Sequence, residues 1–171
     1  DAEEEDGGVL SGLKASKWLY RQNAIKTITA FIQDRETPED LQNDSSNFLS
    51  LVKGHTRDFK ETNVQVTKSI MEFCIAICEC HEAAECAIPD WSARDMAALA
   101  CSKISDKKIS STSKSLLTSA CSVQSPSLVL NQCYGSMSEI KSPVAHEEFC
   151  KWMKSFAEDF GVQVLGKNIK D

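Results

Sequence analysis

Ser142-Pro143-Val144-Ala145-His146-Glu147-Glu148-Phe149-Cys150-Lys151-Trp152-Met153-Lys154-Ser155-Phe156-Ala157-Glu158-Asp159-Phe160-Gly161 reads as one amphipathic helix from start to stop. The serine supplies a capping hydroxyl, and the proline after it fits the first helical position, where an N–H would have no partner. Phe149, Trp152, Met153, Phe156 and Phe160 recur at spacings of three and four, which places them on one face. Gly161 stands where a helix-ending glycine is expected. Working back along the chain, the same period returns. From Trp18 onward, Leu19, Ala24, Ile25, Ile28, Phe31 and Ile32 alternate with Arg21, Gln22 and Lys26. Ile70, Met71, Cys74, Ile77 and Cys78 repeat the pattern. Thr37-Pro38-Glu39-Asp40 and Ser125-Pro126 mark further helix starts, and Ile88-Pro89-Asp90 marks a break. No two-residue hairpin turn separates alternating apolar runs, so the chain reads as all-α.

These signals divide the chain into four pairs of helices, each pair closed by a short polar loop. Pair one covers roughly 9–15 and 18–33 around Ser16-Lys17, and pair two roughly 38–58 and 64–80 at Lys60-Glu61-Thr62-Asn63. Pair three covers roughly 90–104 and 109–122 at Asp106-Lys107-Lys108, and pair four roughly 126–139 and 143–160 at Lys141-Ser142. The loop lysines Lys17, Lys60, Lys107 and Lys141 follow one another at 43, 47 and 34 residues. Two helices per unit at such a period indicate an α-solenoid of about four HEAT-like hairpins, against the alternative of an ordinary helical bundle. In a stacked solenoid the loops within the pairs emerge along one edge. Lys17, Lys60, Lys107, Lys108 and Lys141 would then form a basic ridge able to steer and dock an acidic partner. Trp18, beside Lys17, is either a packing residue or a rigid, part-exposed interface anchor. Trp91 and Trp152 are expected in the core.

The chain has 171 residues, 42% apolar and 26% charged, which suits one domain able to bury about 70% of its unfolded surface. Apolar runs stop short of the ~20 residues a membrane helix needs, and no basic stretch followed by an apolar one suggests a signal peptide. The chain begins at Asp1 without an initiator Met, so it is expected to be a piece of something longer. A net charge of −6 argues against a general nucleic-acid binder. Asp1, Glu3, Glu4, Glu5 and Asp6 carry five of those charges, and without them the body stands near −1. Residues 1–8 are therefore read as an acidic tail or linker, 9–161 as the domain, and 162–171 as an extension or the start of a further repeat.

Eight cysteines lie at Cys74, Cys78, Cys80, Cys86, Cys101, Cys121, Cys133 and Cys150. Disulfide scaffolds are shorter, secreted and richer in Cys, so reduced thiols in a cytosolic protein are expected. No Cys-x-x-Cys pair offers a zinc site; Cys78, Cys80, His81 and Cys86 come nearest, and no metal or cofactor is assigned. There is no Gly-rich phosphate loop, G-x-S-x-G elbow or H-E-x-x-H. His55, His81 and His146 have no evident Asp or Ser constellation, and Cys80 and His81, as helix neighbours, point about 100° apart. No catalytic residue is assigned, and the chain is read as a non-enzyme.

The loops also resemble those of a known family. Gly12-Leu13-Lys14-Ala15-Ser16-Lys17-Trp18-Leu19-Tyr20-Arg21 is similar to the opening of TOG domains, a short helix followed by Lys-Trp-x-x-Arg. Lys60-Glu61-Thr62-Asn63-Val64 resembles their second loop, Asp106-Lys107-Lys108 the third, and Lys141-Ser142-Pro143-Val144 the fourth. The resemblance spans residues 9–161 and is to the ch-TOG and Mini spindles type of microtubule polymerase. It implies a flat paddle of HEAT repeats whose loops bind αβ-tubulin, in a cytoplasmic, microtubule-associated protein of the spindle or centrosome that regulates plus-end growth. Trp18 would insert against β-tubulin, supported by Lys17, Lys60, Asn63, Lys107, Lys108 and Lys141. Neither nucleic acid nor membrane is implied as a partner; other cytoskeletal or spindle proteins are. Two departures matter. Family members usually have six repeats, so these four lack the fifth-loop contact to α-tubulin unless the chain was cut short. Where the family's fourth loop continues Pro-x-x-Lys or Pro-x-x-Arg, this chain places His146, followed by Glu147 and Glu148. Both departures weaken tubulin binding, and the alternative reading is a degenerate HEAT scaffold that binds a different protein.

Overall fold

Asn63 opens the longest helix of the described residues by accepting, through Oδ1, the N–H groups of Gln65 and Val66 at 2.9 and 3.2 Å. The structure, a computed structural model, describes residues 8–161. The expected acidic tail, Gly8 apart, and the extension over 162–171 lie outside those residues. Eight helices follow in order: α1 Val9–Lys14, α2 Trp18–Asp34, α3 Leu41–His55, α4 Val64–Ala83, α5 Asp90–Lys103, α6 Ser110–Val123, α7 Pro126–Glu139 and α8 Pro143–Phe160. No strand occurs among the described residues. They form four antiparallel hairpins stacked in two layers. One layer runs α2 on α4 on α6, with α8 beyond; in the other α1 meets α3 and α5 packs on α7.

Burial explains the layering. Ile25, Ile28 and Ile32 of α2, Ile70, Phe73 and Ile77 of α4, and Leu116 and Leu117 of α6 are withdrawn from solvent into one continuous core. Each large side chain so buried contributes about 1.5–3 kcal/mol. Trp152 is buried as expected. It stacks between Phe149 at 5.7 Å and Phe156 at 5.2 Å, and its Nε1–H donates to Thr118 Oγ1 at 3.0 Å. Gly161 closes α8 with φ +88, a conformation cheap only for glycine, and its N–H reaches Ala157 O at 2.9 Å.

Several sequence expectations are corrected. Helix α3 starts at Leu41, not 38: Asp40 rather than Thr37 caps it, accepting the Asn43 N–H at 3.1 Å, because Leu41 must enter the core as its first residue. It ends at His55, not 58. Arg57, Asp58 and Phe59 all have positive φ (52, 57 and 63), which no helix can continue. Each such residue costs about 1–2 kcal/mol, offset in part because the turn buries Phe59. Trp91 is not core but 37% exposed, since the buried face of α5 begins one residue later with Ser92 and Ala93. Its ring instead carries Lys53 Nζ at 5.5 Å. Phe31 and Phe160, both on predicted stripes, are half exposed. Phe31 lies against Phe48, with the Arg35 guanidinium 5.2 and 5.1 Å from the two rings.

Candidate functional site

The loop edge is built outward from a close helix contact. Gly12 brings α1 so near α2 that a methyl group there would stand 2.9 Å from Ala24 Cβ and 3.3 Å from Tyr20 O. Leu13 is buried behind it, and the chain turns through residues 15–17 into α2. Arg21 then reaches back into this turn. Its Nη1–H groups donate to Ala15 O at 2.9 Å and Ser16 O at 2.8 Å, while Nε and Nη2 donate to Glu61 at 3.0 and 3.2 Å. Glu61 also accepts the Thr62 and Asn63 N–H groups at 2.9 and 3.1 Å. Burial raises the Glu61 pKa, but Arg21 and these two N–H groups outweigh it and hold the carboxyl below its ordinary value. The first two loops are thus one clasped unit.

Trp18 projects from that unit as the first residue of α2 and is 42% exposed. Leu19 beside it is equally open, and Lys17, exposed, lies 5.6 Å from the Tyr20 ring centre. Lys60 is exposed at the end of the left-handed turn. It borders a cleft of about 600 Å³ that continues to Ser102 and Lys103 at the end of α5. In the third loop Asp106 accepts the Lys108 N–H at 2.9 Å through Oδ1, and Lys107 and Lys108 face solvent. In the fourth, Ser142 caps α8 through the Ala145 N–H at 3.3 Å, Lys141 is exposed, and the His146 Nε2–H donates to Ile140 O at 2.6 Å. Lys60, Lys107, Lys108 and Lys141 pair with no acid among the described residues. Asp58 beside Lys60, Glu139 at the end of α7 and Glu147 beside His146 are exposed acids near the same loops.

Hairpin topology puts all eight sequence-picked residues at the same end of the stack. Lys17, Trp18, Lys60 and Asn63 are joined through Arg21–Glu61. Lys107, Lys108, Lys141 and His146 lie on the next two hairpins, which Lys114 of α6 and Glu148 of α8 join by an ion pair. Some of the eight are partly committed elsewhere: the Asn63 oxygen caps α4, the His146 Nε2–H is bound to the Ile140 carbonyl, and Lys17 lies over the Tyr20 ring. Sequence reasoning gives no role to Arg21 and Glu61, although both stand inside the quoted loop motifs. It also passes over Lys14 and Lys103, which add positive charge in the last turns of α1 and α5, and Val144, 49% exposed beside the fourth loop.

Elsewhere, Cys78 contacts Met96 Sδ at 3.7 Å and Cys80 the Ile32 carbonyl at 3.8 Å, so they do not converge with His81 and Cys86. No group of three or more His, Cys, Asp or Glu among the described residues could hold a metal ion, and none of the described helices is long and apolar enough to cross a membrane.

Stacked helical hairpins with their short loops on one edge give the chain a TOG-domain fold. Drosophila melanogaster Mini spindles TOG3 has a similar structure, with a TM-score of 0.77 and 20% identity over 91% of this chain. The chain spans about two thirds, 65%, of that structure's length. No family model matches the chain, and no curated protein matches it.

Proposed function

We propose that this TOG-fold domain binds αβ-tubulin through its hairpin-loop edge, as a non-catalytic module of a protein that regulates microtubule growth. The observation that carries this reading is Trp18: a large, rigid, part-exposed side chain on a loop braced by Arg21 and Glu61, at the same end of the stack as Lys60, Lys107, Lys108 and Lys141, four lysines that pair with no acid among the described residues. Rigid aromatic anchors beside positive charge are the groups that dominate interfaces with acidic proteins, and tubulin, the partner implied by the resemblance, is acidic. In this reading Trp18 supplies the apolar contact, Lys17 and Lys60 flank it, Lys107, Lys108 and Lys141 extend the charge, and Asn63 and His146 shape their loops. The setting is cytoplasmic, on microtubules, the spindle or the centrosome.

A second reading, a scaffold for a different protein, is favoured by His146 in place of a fixed charge in the fourth loop. Isothermal titration of the chain with αβ-tubulin separates the two. Binding that Trp18→Ala abolishes supports the first, and no heat with tubulin supports the second.

A further inference from the structure

The first loop, the end of α3 and the second loop enclose a cleft of about 390 Å³, which shares only Glu61 and Thr62 with the cleft that Lys60 borders. The turn after α3 decides which charges enter each. Arg57, Asp58 and Phe59 all have positive φ, and this left-handed course parts chain neighbours. Arg57 lines the first cleft with Lys14 and His55, whereas Asp58 and Phe59 line the other. Lys14 and Arg57 are exposed and His55 is half-buried, and their side chains have no hydrogen bond or ion pair among the described residues.

The acceptors facing this cleft are already used. Glu61, the one acid that lines it, takes Arg21 Nε on Oε2 and takes Arg21 Nη2 and the Thr62 and Asn63 N–H groups on Oε1. The Ala15 and Ser16 carbonyls accept from Arg21 Nη1 at 2.9 and 2.8 Å. What remains is a set of donors without partners: the Lys14 ammonium, the Arg57 guanidinium, a ring N–H of His55 and the Ser16 and Thr62 hydroxyls. With Arg21 and Glu61 cancelling, Lys14 and Arg57 leave two fixed positive charges. The carbonyl ends of α1 and α3 oppose them, but a helix end carries at most about half a negative charge, and α1 has only six residues. The positive charge wins. We propose that this cleft is a binding site for a phosphate-class dianion, either inorganic phosphate or a phosphate monoester. Two unpaired cations suit a doubly charged oxyanion better than a single carboxylate. The Arg57 guanidinium can donate to two of its oxygens at once, and Lys14 acts as a point charge. The site is independent of the tubulin reading, because neither Trp18 nor Lys60, Lys107, Lys108 or Lys141 lines it.

The test follows amide NMR signals of the isotope-labelled full chain, at neutral pH and constant ionic strength, during titration with inorganic phosphate, N-acetyl-O-phosphoserine amide or acetate. Saturable shifts centred on Lys14, His55 and Arg57 are expected for both phosphates, with affinity about tenfold above that of acetate. The double variant Lys14→Gln/Arg57→Asn should lose most of that affinity, and asparagine tolerates the left-handed backbone at 57, so the turn is kept. Tighter binding of the phosphoserine derivative assigns the site to a phosphorylated side chain, and equal or tighter binding of inorganic phosphate assigns it to the free ion. Shifts that do not saturate at tens of millimolar, shifts as large at Lys107 and Lys108, or a phosphate affinity unchanged in the folded double variant overturns the proposal. Should the double variant fail to fold, the wild-type titrations decide: no preference for the phosphates over acetate overturns it equally.

Discussion

Arg21 and Glu61 hold each other across 40 residues of chain, through two hydrogen bonds of 3.0 and 3.2 Å that fasten the first hairpin loop to the second. Arg21 spends its remaining contacts on the carbonyls of its own loop, and Glu61 spends its own on the N–H groups of Thr62 and Asn63. Trp18 and Lys60, which flank this pair in sequence, are therefore presented from one braced unit.

Glu61→Gln is expected to cost about 1.5–3 kcal/mol, the range for hydrogen bonds to charged groups. The sign of its pH dependence follows from the lowered folded pKa. The ionised carboxylate adds stability that is fully present above its ordinary value of 4.5 and is lost as pH falls through the lower folded value. Urea midpoints should therefore fall more steeply for wild type than for Glu61→Gln from about pH 5 downward. Parallel curves would show that the pair adds no net stability. Arg21→Lys keeps the charge but not the fork, and should lose most of the same stability.

The tryptophans should separate cleanly. Trp152→Ala removes a buried, stacked ring and is expected to cost about 3–5 kcal/mol. Trp18→Ala, at an exposed helix start, should cost no more than ~1 kcal/mol of stability and at least ~2 kcal/mol of partner binding. Thermal melts beside a binding isotherm measure both, and a large melting shift for Trp18→Ala would remove it as an anchor.

Gly12→Ala sets two effects against each other. Alanine is the better helix former by about 1 kcal/mol, yet its methyl would meet Ala24 Cβ at 2.9 Å and must push α1 off α2. Overpacking of this kind costs about 1–3 kcal/mol, so destabilisation is expected. A raised melting temperature would mean that α1 is not held against α2 in solution.

Periodicity makes α2, α4 and α8 legible from sequence, because a helix face is written in residues three and four apart. Proline after serine places the starts of α7 and α8 for the same local reason. What stays hidden depends on neighbours distant in sequence. The start of α3 moves to Leu41 because of where that side chain is buried, and Trp91 falls outside the core by one residue of helical phase. Trp18 reads from sequence as a packing residue before an anchor, since the first residue of a helix has no stripe to decide it. Arg21 and Glu61 are each visible within loop motifs, but their pairing depends on how the first hairpin stacks on the second, which no spacing encodes.

Salt should weaken partner binding steeply, because exposed charges are screened over about 8 Å at physiological ionic strength. Reversing Lys107 and Lys108 to Glu should slow association more than it speeds dissociation, as steering charges do. Surface-binding kinetics at two salt concentrations read both effects. Salt-independent association would count against a basic edge, whatever the affinity.

Size-exclusion chromatography of the chain mixed with αβ-tubulin heterodimers tests the proposed edge most directly. A shared, earlier-eluting peak at low salt is expected for wild type, lost for Trp18→Ala and for Lys60→Glu while both variants keep the wild-type melting temperature. Separate peaks for wild type at tens of micromolar, or a complex that both substitutions leave intact, would contradict tubulin binding through the hairpin loops.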